Sequence, residues 1–355
     1  SIRRQRQMCI RDSNMVAWML AGKSINQPLR TSMLYNNADF NCSKFRGVGS
    51  WSVQNSGGGT TNPETPLQGL VRSHNTTQAS MAQQIKLCSI ADAARILGYH
   101  NSPLGQESVY SANSLNPPMT IGSVQASPLT VANVYATIGA DGVACDPIAI
   151  KRVVDKNGKR LKVPSAHCHQ AIPKGIAQTA AYALNQGVVQ PGGEASTTQL
   201  DGGRKTFAKT GTNEQYYMTT AGFVPYQVAS FVAVGNAESQ KSFNGMTING
   251  RTMAAWYGMY IATPAWKQFM NDYLKAANIP VDNDYGKPDP KYTAGGTLPG
   301  TPKNTVKTDQ QKRDEDARKQ AAQEQQEEAK TQKNTQDQYG TARRDDYGDS
   351  ETDNY

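Results

Sequence analysis

The chain has no long apolar run, few aromatic residues and no closely spaced cysteine pair, and each lack removes a class of protein. Its longest apolar stretch, Met15–Ala21, falls far short of the roughly 18 residues a membrane-spanning helix needs. Residues 1–13 (SIRRQRQMCIRDS) are basic and polar with no apolar segment behind them, so they do not read as a signal peptide. A role outside the cell would need a targeting segment that this chain does not carry. Aromatic residues make up 8% and hydrophobic residues 37% of the 355 positions, so an ordinary core is expected in only part of the chain. The five cysteines (Cys9, Cys42, Cys88, Cys145 and Cys168) contain no C-x-x-C pair, which leaves a zinc or thioredoxin-like site without support. The cluster His167-Cys168-His169 has no second ligand pair at metal spacing. The expectation there is no metal and, in an oxidising compartment, a Cys145–Cys168 disulfide closing a surface hairpin.

Positive charge is present but unpatterned. Lys and Arg number 37 against 29 Asp and Glu, a formal +8, yet no basic stripe interleaved with aromatics accompanies the excess, so nucleic acid is not an expected partner. From residue 287 onward the chain holds 12 basic and 14 acidic residues and only Leu298 and Val306 among its Val, Ile, Leu, Met, Phe and Trp positions. So few apolar side chains cannot offset the entropy of ordering, and a disordered polar tail is expected over 281–355.

Between these ends the signals mix. Thr65-Pro66 opens a short helix toward Arg72, and a second starts after Asn75 with Ala79, Ala82 and Ile85 on one face. Ile90–Leu97 continues helical with Gly98 as its stop, and Ser127-Pro128 opens a third helix that ends before Gly139. Ile172–Leu184 is a fourth, closing near Gly187. Thr206–Thr212, Thr219–Val224 and Val228–Val234 are β-branched and separated by turn residues, as adjacent antiparallel strands are. Thr263-Pro264 is expected to cap a last helix with Trp266, Phe269, Met270, Tyr273 and Leu274 on one stripe. The order predicts an α+β fold, an antiparallel sheet flanked by helices.

Two short motifs carry chemistry. Ser73-His74-Asn75 lies between two helices, and Lys209-Thr210-Gly211-Thr212 lies on a strand. Taken singly, the first is a helix cap and the second a strand with a glycine. Around them stand Trp51-Ser-Val-Gln-Asn55, the run from Thr65 to Asn75, Ala93-Ala-Arg-Ile-Leu-Gly98, Tyr135-Ala-Thr137 and Gly222-Phe-Val-Pro225. Together these resemble the transpeptidase domain of class A penicillin-binding proteins over about residues 14–280, and the Cys145/Cys168 insertion is similar to actinobacterial members. The resemblance implies the serine β-lactamase-like fold, no cofactor, and cross-linking of peptidoglycan stem peptides ending in D-Ala-D-Ala, through an acyl-serine that β-lactams trap. It implies that the Ser73 hydroxyl relays a proton to the leaving amine and that the Asn75 amide binds the donor peptide. It further implies that the Lys209 ammonium meets the terminal carboxylate, with Thr210 and Thr212 hydrogen-bonded to it and Gly211 giving close access. The Thr212 N–H would supply half an oxyanion hole. Strand alternation puts Lys209 and Thr210 on opposite faces. His74 reads as structural or exposed, and Trp51 and Phe223 as core.

The family's first signature, S-x-x-K, is missing. Where it belongs the chain reads Met8-Cys9-Ile10-Arg11, and no lysine in the sequence has a serine three residues before it. The reading adopted is that residues 1–13 are non-native and that the nucleophile, a glycosyltransferase domain and the membrane anchor lie upstream, at the extracytoplasmic face. A peptidoglycan-binding pseudoenzyme is the alternative, and a serine carboxypeptidase or β-lactamase a weaker third. Cys9 has no lysine to activate it. The chain as it stands is therefore expected to form no covalent penicillin adduct.

Overall fold

The computed structural model describes residues 5–6, 10–99, 114–213, 216–235 and 241–295. All of them fall in the first of two compact units, Ser1–Pro299; the second, Gly300–Tyr355, lies outside the described residues. Seven principal helices are numbered α1 (Ile10–Leu20), α2 (Pro66–Val71), α3 (Asn75–Ile85), α4 (Leu87–Ile96), α5 (Pro128–Gly139), α6 (Lys174–Val189) and α7 (Gly258–Ala276). The central sheet has strands β1 (Phe207–Asn213), β2 (Tyr217–Val224) and β3 (Val228–Gly235), antiparallel in the order β3-β2-β1. The described part is the α+β arrangement that the pattern of elements predicts.

Alternation along β2 sorts the two faces of the sheet. Thr220 bonds Thr263 of α7 at 2.8 Å. Gly222 sits so near the Trp266 ring of α7 that a Cβ there would come within 2.5 Å of it. Phe223, one residue on, points the other way, stacks on Phe207 at 5.0 Å between centroids and meets α5 at Gly139. Helices α5 and α6 therefore cover one face and α7 the other. Helix α1 is buried from Ile10 to Met19 and contacts α3, α4 and α6, as a helix enclosed on every side must be.

Several expectations need correction. Helix α6 starts at Lys174, two residues after the expected Ile172, and closes at Val189, near Gly187 as expected. The helix expected to continue from Asn75 to Leu97 is two, α3 and α4, broken at Lys86, whose φ is +68°. Helix α7 starts at Gly258 and carries Pro264 inside it, because the buried spacing Met259, Ala262, Thr263, Trp266 and Met270 runs unbroken through the proline. Phe269 and Tyr273 stack on each other outside the core at 48% and 40% exposure.

The expected start of the folded domain at Asn14 falls within α1, whose buried first turn includes Ile10, Arg11, Asp12 and Ser13. At the other end, residues 281–295 pack on the domain, contrary to the expected start of the disordered tail. The Tyr285 hydroxyl donates to Ile138 O at 2.5 Å and its ring meets Phe207 and Phe223 edge-on, while Tyr292 is also buried. The apolar tally behind the tail began at residue 287, past Tyr285, and left out tyrosine and so Tyr292, and these two rings supply the burial. Residues 296–355, the rest of that tail, lie outside the described residues.

Candidate active site

The corner between α2 and α3 is built to present one serine. Thr65 caps α2 through Gln68 N–H, and the Gln68 side chain returns to the Thr65 backbone in a capping box. Gly69 lets the two helices approach, since a Cβ there would fall 2.4 Å from Thr77 Cβ. Ser73 then turns the chain with φ +58°, a left-handed conformation costing a non-glycine residue about 1 kcal/mol. His74 Nδ1 lies 2.8 Å from Oε1 of Glu64, whose side chain is fully buried and also accepts from the Thr77 hydroxyl. The histidine is thus the anchor of this turn, the structural role the sequence suggests.

Strand β1 brings Lys209 across to the turn. Its Nζ donates to Ser73 Oγ at 2.8 Å and to Thr210 O at 3.0 Å. Thr210 faces the other way and donates its hydroxyl to Glu194 O at 2.9 Å. With that proton committed, Thr210 has no hydroxyl donor left for a carboxylate, which corrects the sequence expectation for this residue. Thr212 accepts from the Gly258 N–H at 2.9 Å, capping α7, and keeps its own proton to donate. Gly211 pairs with Thr219 across the ladder, and its carbonyl lies where Gly258 makes its closest approach.

Sequence reasoning missed the third member of the site, Arg11. Its Nη1 donates to Ser73 O at 2.9 Å and to Ser73 Oγ at 3.2 Å, its Nη2 to Asn75 Oδ1 at 2.5 Å, and its Nε to Ile121 O at 3.3 Å. Asn75 Nδ2 meanwhile donates one of its two protons to Gln54 O at 2.6 Å, so the Asn75 amide is oriented from both ends. The signal was present in the register: Arg11 stands where the S-x-x-K signature puts its lysine. Met8 and Cys9 lie outside the described residues.

Two cations and one carboxylate share this buried corner. Burial holds the Arg11 guanidinium down to about 10, opposed by Asp12. Burial also lowers Lys209 to about 8, and repulsion from Arg11 adds to it. Asp12 is raised to about 6 by burial, against a hydrogen bond from the Tyr135 hydroxyl and the attraction of Lys209 and Arg11. Its Oδ1 is buried with no hydrogen-bond partner. A corner with two depressed cations is one where an anion is favoured. Cys145 and Cys168 are bonded to each other on a separate ribbon, next to an exposed His167–Asp146 pair. A second disulfide, Cys42–Cys88, which sequence reasoning did not pair, ties the 41–49 loop to α4.

Comparison with known proteins places this geometry. Residues 28–271 match the penicillin binding protein transpeptidase domain. Penicillin-binding protein 1A of Mycobacterium tuberculosis is 29% identical over 229 residues, which cover 60% of this chain and 26% of that protein. Penicillin-binding protein 1A of Aquifex aeolicus is 30% identical over 153 residues, covering 43% of this chain and 19% of its own length. The chain therefore spans well under half of these curated relatives. Among solved structures, the penicillin-binding protein PonA1 from Mycobacterium tuberculosis shares the fold with a TM-score of 0.68 at 20% identity, covering 86% of this chain and 78% of that one. With its family domain matched over most of the folded part and the serine–lysine contact in place, this chain belongs to the penicillin-binding protein transpeptidase family.

Proposed function

We propose that this chain is the transpeptidase part of a class A penicillin-binding protein, acting on peptidoglycan stem peptides at the outer face of the cytoplasmic membrane. Its own site holds the terminal carboxylate of a D-Ala-D-Ala stem, or of a β-lactam, without forming an acyl-enzyme. The observation that carries this reading is the Lys209–Ser73 contact at 2.8 Å. An ammonium has three donors, and Lys209 commits two, to Ser73 Oγ and Thr210 O, leaving one for a ligand carboxylate. The Thr212 hydroxyl, fixed as an acceptor by Gly258 N–H, can direct its proton to the same group. Ser73 Oγ accepts from both Lys209 and Arg11, so its own proton is left for a hydrogen bond to the ligand.

The covalent half of the chemistry needs a serine with a lysine base, and the sequence has no S-x-x-K. Arg11, at the place of that lysine, stays charged at neutral pH and cannot accept a proton. Penicillin V is itself bound in a solved PonA1 structure of Mycobacterium tuberculosis, whose TM-score to this chain is 0.66. Incubating the present chain with penicillin V and reading the intact mass tests the proposal. The expected result is an unmodified mass with displaceable binding in equilibrium dialysis. A mass increased by one penicillin would refute the non-covalent reading.

A further inference from the structure

Residues 143–170 form a ribbon separate from the central sheet. At its base Val143 and Ala144 pair with Gln170 and His169, the Asp146 N–H donates to Ala166 O at 2.6 Å, and the Cys145–Cys168 disulfide ties the two arms. Further out Val153–Val154 pairs antiparallel with Arg160–Leu161, and no third strand joins them. The tip is a tight turn in which Asp155 Oδ1 accepts from the N–H groups of Asn157 and Lys159 at 2.9 Å each, with Gly158 at φ +80°. A two-stranded hairpin this short is not stable alone in water, so the closed base and the turn hold its shape.

The outer ribbon is strongly cationic. Residues 147–166 hold six cations, Lys151, Arg152, Lys156, Lys159, Arg160 and Lys162, against the single carboxylate of Asp155, whose Oδ1 is committed to the turn. None of the six makes an ion pair among the described residues. Aliphatic side chains stand among them. Val153 lies opposite Leu161 on one face, and Val154 lies opposite Arg160 on the other. Val154 and Leu161 are 44% and 47% exposed, and Ile148 and Ile150 in the same arm are exposed as well. The ribbon therefore has apolar groups in water on both faces and a positive charge that nothing in the domain neutralises.

This combination discriminates among anionic partners. Nucleic acid stacks its bases on aromatic rings, and residues 147–166 contain none. A soluble polyanion would be held by the cations alone and would leave the aliphatic side chains in water. A bilayer with anionic headgroups takes both, with Lys and Arg among the phosphates and the aliphatic side chains at the edge of the acyl region. We propose that the tip of this ribbon, around Val153, Val154 and Leu161, docks on an anionic lipid surface. The ribbon shares no residue with the Ser73–Lys209 site, so this contact stands apart from the carboxylate reading.

The test is flotation of the whole chain with two kinds of vesicle, phosphatidylcholine alone and phosphatidylcholine with about 30% phosphatidylglycerol, at about 0.1 M salt. The chain is expected to float with the anionic vesicles and to stay in solution with the neutral ones. Raising the salt to about 0.5 M should release most of the unaltered chain. The double variant Arg160→Gln/Lys162→Gln should attach at least roughly tenfold more weakly, since each cation near such a surface contributes about fivefold. Val153→Ser/Leu161→Ser keeps every charge, alters only surface positions, and should attach roughly tenfold more weakly. Thermal melts matching the parent show that both variants fold. No flotation with the anionic vesicles overturns the proposal, as does attachment that salt or the loss of Arg160 and Lys162 leaves intact. Attachment that the serine variant retains in full overturns it in favour of a soluble polyanion.

Discussion

Lys209 and Ser73 lie 136 positions apart in sequence, and their side chains meet at 2.8 Å. A strand edge and a helix corner are thereby joined through one charge-assisted hydrogen bond, with Arg11 on the other side of the same hydroxyl. The pair is partly buried, so the ammonium is poorly solvated and titrates near pH 8, where a ligand carboxylate can recharge it.

The pH profile of binding follows. The contact requires a carboxylate and a protonated lysine, so affinity for a D-Ala-D-Ala peptide should change little between about pH 5 and 7. Past the Lys209 value near 8 it should fall by about tenfold per pH unit. Lys209→Met should bind weakly at every pH. A profile unchanged from pH 7 to 10 would remove Lys209 from the ligand contact.

Asp12 leads to a stability prediction of definite sign. Its carboxyl is raised to about 6, so between pH 4 and 6 the folded state keeps a proton that the unfolded chain has lost. The stability this group contributes is complete below pH 4 and is lost as pH rises through 6. Urea denaturation should show the difference between Asp12→Asn and the parent moving toward the variant by on the order of 2–3 kcal/mol from pH 4 to pH 7. No relative change over that range would contradict the burial of an uncompensated carboxyl.

His74→Ala leaves the fully buried Glu64 carboxyl with only the Thr77 hydroxyl of its two side-chain partners. Depriving a buried polar group of a hydrogen-bond partner costs about 1–3 kcal/mol, and the Ser73 turn should loosen with it, weakening peptide binding. Glu64→Gln, which can still hydrogen-bond His74, should cost less. If His74→Ala were as stable as the parent in urea, the anchor role would be wrong.

Much of this was readable from residue types alone. Thr65-Pro66 and Ser127-Pro128 announce helix starts through chemistry that acts over three residues, and both caps are present. The strand trio shows in its β-branched runs, and Ser73, Asn75 and Lys209 stand in motifs short enough to read directly. What escaped depends on distance in the fold. Arg11 stands in the register of the missing lysine, but its contact with Ser73 depends on where α1 places its first turn. The start of α7 was hidden because its cap comes from Thr212, 46 residues earlier. Tyr285 and Tyr292 lie in a polar stretch, and only the cavities they fill reveal them as core.

Gly258 ties that cap to the site. A Cβ there would lie 2.4 Å from Gly211 O, so Gly258→Ala must push α7 or strand β1 outward. The expected cost is about 1–3 kcal/mol of stability, as for other overpacked positions, together with weaker peptide binding through displacement of Thr212. Thermal melts alongside binding isotherms check both, and an alanine variant identical to the parent in both would show that the contact yields freely.

The most direct test of the account is a calorimetric comparison of a pentapeptide ending in D-Ala-D-Ala with its C-terminal amide. A charge-assisted hydrogen bond from Lys209 is worth about 1.5–3 kcal/mol, so the acid should bind roughly 10- to 100-fold tighter than the amide. Equal affinities would contradict carboxylate recognition by Lys209 and Thr212, and with it the proposed role of the site.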